Sequence, residues 1–251
     1  MQTFKPIIIG NTSYRLNELT FHDAVKISRI PERMNEHRIS VFLAAVLRDD
    51  QIAQKMTVQE RYYILIQYLS TQTDTVISST LTYEDYLFSN QSEFKTTLSL
   101  EQADLKINVR QLTGRDAELL ETLCDGVADW IVGAMALQLD MPENKEIPVL
   151  HSQDCSEAEH LESLKTRANA FKNLELSRFN RFYNAFDYLQ SEMSTLCRLG
   201  FDDSGITVLG GTDDAPARFR PAAALTGIAA QLDRYAAAKG QSVGRGHPDD
   251  V

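Results

Sequence analysis

The residues with the richest chemistry fall in one short run, His151-x-x-x-Cys155-x-x-x-x-His160. Imidazole and thiolate are the usual ligands of zinc, which makes this compact span the candidate metal site of the sequence. A structural zinc site normally shows four ligands in paired short spacings, and a catalytic one shows three with an oriented outer shell. Further partners of that kind are not visible around His151, Cys155 and His160, so the ordinary reading is a polar loop that leads into a helix. Cys124, Cys155 and Cys197 are odd in number, far apart and without a Cys-x-x-Cys pair, which fits neutral free thiols better than a disulfide framework.

Other chemical signatures are missing. Gly-x-Ser-x-Gly, the phosphate-cradling loop and Gly-x-Gly-x-x-Gly are absent as usable patterns. Gly210-Gly211-Thr212 is the nearest imitation, but it lacks the following Lys and the strand-loop-helix order, and reads as a loop. The acidic doublets Asp49-Asp50, Asp202-Asp203 and Asp213-Asp214 lack calcium-loop spacing and read as solvated turns. The expectation is a chain without catalytic residues, metal or cofactor.

Composition narrows the partners. A formal net charge of −10 at pH 7 gives no broad basic footprint for nucleic acid, since phosphate neutralisation needs clustered Lys and Arg. Behind Met1 lies only the short Ile7-Ile8-Ile9 run, so no secretory signal is expected, and no stretch is long enough to span a membrane. The most apolar window, Val127 to Leu139, is interrupted by Asp129 and Gly133 and reads as a buried helix. A soluble protein made in a cytoplasm is expected.

The elements that would position such residues are mostly helices. Ile7-Ile8-Ile9, Gly10-Asn11 and Thr12 to Leu16 predict a small N-terminal β-hairpin. A hydroxyl three residues ahead of a carboxylate then recurs at Thr20–Asp23, Thr57–Glu60, Thr113–Asp116 and Ser156–Glu159, the pairing that satisfies exposed N–H groups at a helix start. These signals predict helices from Phe21 to about Ile30, over Tyr62 to Leu69, from Asp116 to about Leu139, and after Ser156. Ile39, Phe42, Leu43, Val46 and Leu47 add one more at the spacing of a single helical face. A further helix is expected from Leu174 to Leu199, ending at Gly200, then a strand at Ile206 to Leu209 and a helix from Ala222 to Lys239.

The fold class is therefore mainly α with a small N-terminal β-hairpin, an α+β chain of helical bundle-like lobes. Residues 1–70 form a hairpin plus helical lobe and 71–112 a mixed connection in which Phe94 to Leu98 or Leu105 to Val109 add strands. Residues 113–210 form a second helical lobe, and 211–251 an extension whose end is flexible unless a partner orders it.

One apolar stripe stands out: Leu176, Phe179, Phe182, Tyr183, Phe186, Leu189, Met193 and Leu196 recur at helical spacing. Core packing is its ordinary reading and a subunit interface the sharper one. Arg178 and Arg181, with Lys165, Arg167 and Lys172 nearby, make the one locally basic patch in an acidic chain. The interface candidates are Phe179, Phe182, Phe186, Arg178 and Arg181, together with Ile7 and Ile9 on the hairpin.

The run Gly10-Asn11-Thr12-Ser13-Tyr14-Arg15-Leu16-Asn17-Glu18-Leu19-Thr20-Phe21-His22-Asp23-Ala24, with Met56-Thr57-Val58-Gln59-Glu60-Arg61-Tyr62-Tyr63-Ile64-Leu65, resembles the start of small tail-assembly and baseplate hub proteins of contractile-tailed bacteriophages. Asp213-Asp214-Ala215-Pro216-Ala217-Arg218-Phe219-Arg220-Pro221 is similar to ends seen in phage virion proteins. The likeness covers the first quarter of the chain and this short later piece. It implies a structural component of the virion, assembled in the host cytoplasm, that binds other tail or baseplate proteins and copies of itself without turnover. No catalytic residue is carried over by it. A soluble tail-assembly chaperone absent from the finished particle is the close alternative. A metal-binding protein or enzyme on His151, Cys155 and His160, or a regulatory adaptor with a helical peptide groove, would belong to other classes.

Overall fold

Four helices begin at a side-chain cap. At Thr20, Thr57, Thr113 and Ser156 the hydroxyl accepts the N–H three residues on, and the carboxylate at that position accepts the N–H of the capping residue. Two of the exposed donors at each helix start are thereby satisfied. The computed structural model describes residues 4–72, 81–102, 105–150, 156–225 and 227–242. It is mainly helical, with three small antiparallel sheets among the described residues.

Strands β1 (Ile7–Ile9) and β2 (Thr12–Tyr14) pair around Gly10-Asn11, with Gly10 at φ +54°, the left-handed conformation that a two-residue hairpin turn requires. Helices α1 (Phe21–Ser28), α2 (Asn35–Leu47), α3 (Ile52–Lys55) and α4 (Val58–Ser70) follow. Most of α4 is buried, including Ile64, Leu65 and Ile66 in succession, so it lies inside the molecule and is surrounded on every side.

In the stretch whose pattern was ambiguous, β3 (Thr97–Gln102) and β4 (Leu105–Arg110) pair, and β5 (Leu139–Asp140) joins β4 by its other edge. The single helix expected from Asp116 to Leu139 is two: α5 (Gly114–Leu123) and α6 (Val127–Gln138). The break comes at Gly126, whose φ of +89° no helix admits, and its carbonyl accepts the first N–H groups of α6. Ile147 to Leu150 carries no strand; Ile147 is buried and Val149 exposed.

Helices α7 (Glu157–Lys172) and α8 (Leu176–Met193) come next. The expected run of helix to Leu199 stops at Met193, because Arg198–Asp202 forms β6, paired along its length with β7 (Gly205–Gly210). Gly200 sits within this strand, where the side chains of Leu209 and Thr207 press so close that a Cβ would be crowded. An edge strand, β8 (Ala215–Ala217), completes the sheet, and α9 (Gly227–Ser242) is the last helix among the described residues.

The buried side chains form one contiguous cluster from Ile9 to Ala229. Gln59 of α4 donates to the Met193 carbonyl and Asn35 of α2 to that of Phe219, so polar bonds as well as apolar contact join the first part of the chain to the last. No helix among the described residues is long and apolar enough to cross a membrane.

Candidate functional site

Of the three metal candidates only His160 falls among the described residues. His151 and Cys155 lie outside the described residues, while His160, on α7, is only 6% exposed and faces a polar cavity with His37, Glu118 and Glu121. Among the described residues no group of three His, Cys, Asp or Glu is placed to hold a metal ion. Burial pushes the Cys124 thiol up to about 12, with the Asp129 carboxylate adding to the effect, and it raises the fully buried Cys197 as well. Both thiols are thus protonated and weakly nucleophilic at neutral pH.

Among the described residues, a dense polar cluster forms that spacing did not reveal. Arg61 of α4 is fully buried; its Nη1 donates to Ser40 Oγ and to the Ala53 carbonyl, each at 2.9 Å, and its Nη2 donates to the Glu36 carbonyl at 2.6 Å. The Glu36 carboxylate lies 3.4 Å from Nη2 and accepts the Tyr62 hydroxyl at 2.5 Å. Gly114, the first residue of α5, packs directly on this guanidinium: a Cβ there would overlap Arg61 Nη1 and the Ala53 carbonyl oxygen. One arginine therefore ties α2, α3 and α5 to α4. Burial raises the Glu36 carboxyl, and Arg61 opposes that rise.

Above this pair, Glu121 of α5 caps the start of α2, accepting the N–H groups of Glu36 at 2.7 Å and His37 at 3.2 Å. An anion at a helix N-terminus is favoured by the backbone dipoles. Even so, burial, together with the charges of Glu36 and Glu118, carries its carboxyl up to about 7. Glu118 accepts hydrogen bonds from Ser40 Oγ and pairs with His37 Nδ1 at 3.0 Å. Serine, histidine and glutamate meet here, but in the wrong order for nucleophilic catalysis. The imidazole touches the carboxylate and not the hydroxyl it would have to deprotonate, and that hydroxyl is already committed to Glu118 and Arg61. The arrangement fixes helix positions.

The α8 stripe divides between core and rim. Phe182 and Phe186 are buried within the chain, Phe182 packing edge-on against Phe171. Phe179 is partly buried and stacks on Tyr183, and Arg178 forms an exposed ion pair with Glu146 at 2.7 Å. Arg181 is exposed. On the hairpin, Ile9 is buried and Ile7 packs partly on the core, which leaves Ile8, 63% exposed, as the outward residue. Strand alternation makes this assignment: neighbours on a strand point to opposite faces.

Helix α9 carries an apolar outward face. It rests on the body through Ala229 and Asp233, whose carboxylate accepts Arg38 Nη2 at 2.8 Å; the Arg38 Nε donates to the Ile30 carbonyl. Ile228, Leu232 and Tyr235, spaced four and three apart, point away with 61%, 40% and 65% exposure. The usual distribution is inverted, with small and charged residues inward and large apolar ones outward.

No protein-family profile, curated protein or solved structure matches the chain.

Proposed function

We propose that this chain is a non-catalytic structural component of the tail or baseplate of a contractile-tailed bacteriophage, working by docking on neighbouring tail proteins and on copies of itself. The observation that carries this reading is the outward apolar face of α9. A helix already anchored by a buried ion pair still presents Ile228 and Leu232 to solvent. Apolar residues aligned on one exposed helical face are characteristic of surfaces that meet a partner. The resemblance of Gly10–Ala24 and Met56–Leu65 to tail-assembly and baseplate hub proteins supplies the class of partner. The polar hub around Arg61 is consistent with it, since its groups are spent on joining helices.

Light scattering on the purified chain tests the docking face. The expected result is a mass above that of one chain, or co-elution with tail proteins of infected cells, lost in an Ile228→Glu, Leu232→Glu double variant that still melts cooperatively. A monomer that takes up no tail protein overturns the reading. Mass spectrometry of purified virions then separates a retained component, which is the reading proposed, from a soluble assembly chaperone, which would be missing.

A further inference from the structure

A second feature has no part in that docking face: a cavity of about 230 Å³ beneath α8, roofed by Tyr183 and Phe186 and closed on its far side by β6 and β7 with Phe201. Four glutamines reach it, an unusual amount of amide for an interior wall. Gln59 is held at both ends, donating to the Met193 carbonyl and accepting the Leu196 N–H. Gln111 and Gln138 are each 4% exposed, and both are fixed in orientation, because their Nε2 atoms donate to the carbonyls of Lys95 and Arg110. Their Oε1 atoms accept no hydrogen bond from a described residue, and neither oxygen is among the buried polar atoms sealed from solvent. Gln190 has its Nε2 buried and without an acceptor.

The open amide oxygens of Gln111 and Gln138 are acceptors, and the Ser191 hydroxyl at the mouth can accept as well as donate. The exposed carboxylate of Asp187 stands at the rim, and the rim cation, Arg198, is already paired with Asp214 at 2.7 Å. A group that satisfies the Gln111 and Gln138 oxygens needs more than one donor, positive charge toward Asp187, and a flat face for the aromatic rings. Guanidinium has five N–H donors in a plane, carries no acceptor and stacks on aromatic faces, whereas an ammonium offers a compact, strongly hydrated charge.

We propose that the cavity under α8 is a guanidinium-binding pocket, with the amide oxygens of Gln111 and Gln138 receiving its N–H groups and Asp187 balancing its charge at the entrance. The source of the group is either a free arginine-like small molecule or an arginine side chain presented by another protein. Neither source requires the chain to belong to a phage tail.

Calorimetric titration of the full chain with N-acetyl-arginine-amide, N-acetyl-lysine-amide, adenosine and the peptide Gly-Gly-Arg-Gly-Gly tests it. The arginine derivative binds and the lysine derivative does not. Asp187→Asn, an exposed change, weakens binding roughly twofold to fivefold, as loss of a rim charge pair should. Ser191→Trp, which places an indole at the mouth, abolishes binding without lowering the melting temperature. A peptide that binds at least as well as the amide identifies a partner's side chain as the source; an amide that binds better identifies the small molecule. Equal binding of the lysine derivative, binding of adenosine alone, no binding at millimolar concentrations, or binding untouched by both variants would each overturn the proposal.

Discussion

Arg61 shows how much of this fold hangs on a single side chain. Its guanidinium is buried against the Glu36 carboxylate and bonded to three carbonyl or hydroxyl oxygens, while Gly114 lies flat against it. A charge held this way is tolerable only while each partner stays in place. Gly114→Ala forces a methyl group into the guanidinium and the Ala53 carbonyl, one of which is backbone and cannot swing aside. The expected cost is on the order of 1–3 kcal/mol in urea denaturation, the range for overpacked interiors. An unchanged midpoint would mean that α5 shifts at no cost.

Glu121 gives the second prediction at this scale. Its carboxyl rises from 4.5 to about 7 in the fold, chiefly through burial. A folded-state value above the unfolded one means the native state binds the proton more tightly. Its contribution to stability is then fully present below about 4.5 and is lost as pH climbs through 7. Glu36, also raised by burial, acts in the same direction. Denaturation midpoints should therefore fall between pH 5 and pH 7.5, and Glu121→Gln should flatten that decline while costing part of the α2 cap. A decline of equal steepness in the variant would assign the effect elsewhere.

At the scale of elements, the helix starts are where sequence and structure agree best. The capping signal is local, contained in four consecutive residues, and it acts the same way whatever packs on the helix afterwards. Thr57→Ala removes the hydroxyl that accepts the Glu60 N–H at the start of the buried α4, and about 1 kcal/mol of stability should go with it. Thermal or urea melts of the variant check this. Helix ends were less legible. Leu196 continues the apolar spacing of α8, so periodicity alone extends the helix toward Gly200. What stops it is β7, a buried strand whose backbone groups bond to Arg198–Asp202. A partner distant in sequence decided the conformation of those residues. The break between α5 and α6 is a milder case, since Gly126 was visible but an apolar pattern runs across it from Leu123 to Val127.

At the scale of the whole molecule, burial sorts the interface candidates by exposure alone. Phe182, Phe186 and Ile9 are buried, Ile8 is the outward hairpin residue, and α9, for which the sequence indicates only a helix, presents Ile228, Leu232 and Tyr235 outward. Glutamate at Ile228 and Leu232 should leave stability within about 0.5 kcal/mol of the native chain, since these positions are surface sites. Its effect should appear in the native mass measured by light scattering. A large loss of stability would show instead that this face supports the fold.

By itself, the sequence determined the mainly helical class, the positions of four helix starts, the tight turn at Gly10-Asn11, and the lack of a recognisable catalytic motif. Each depends on residues within a few positions of one another, so the physics is complete in a short window. Tertiary structure alone decided that Arg61, Glu36 and Tyr62 meet in the core, that Glu121 caps a helix 85 residues away, and that amides from α4, the residue just after β4, α6 and α8 converge on one cavity. Those groups come from separate elements, and only the burial of one contiguous core brings them within hydrogen-bonding reach.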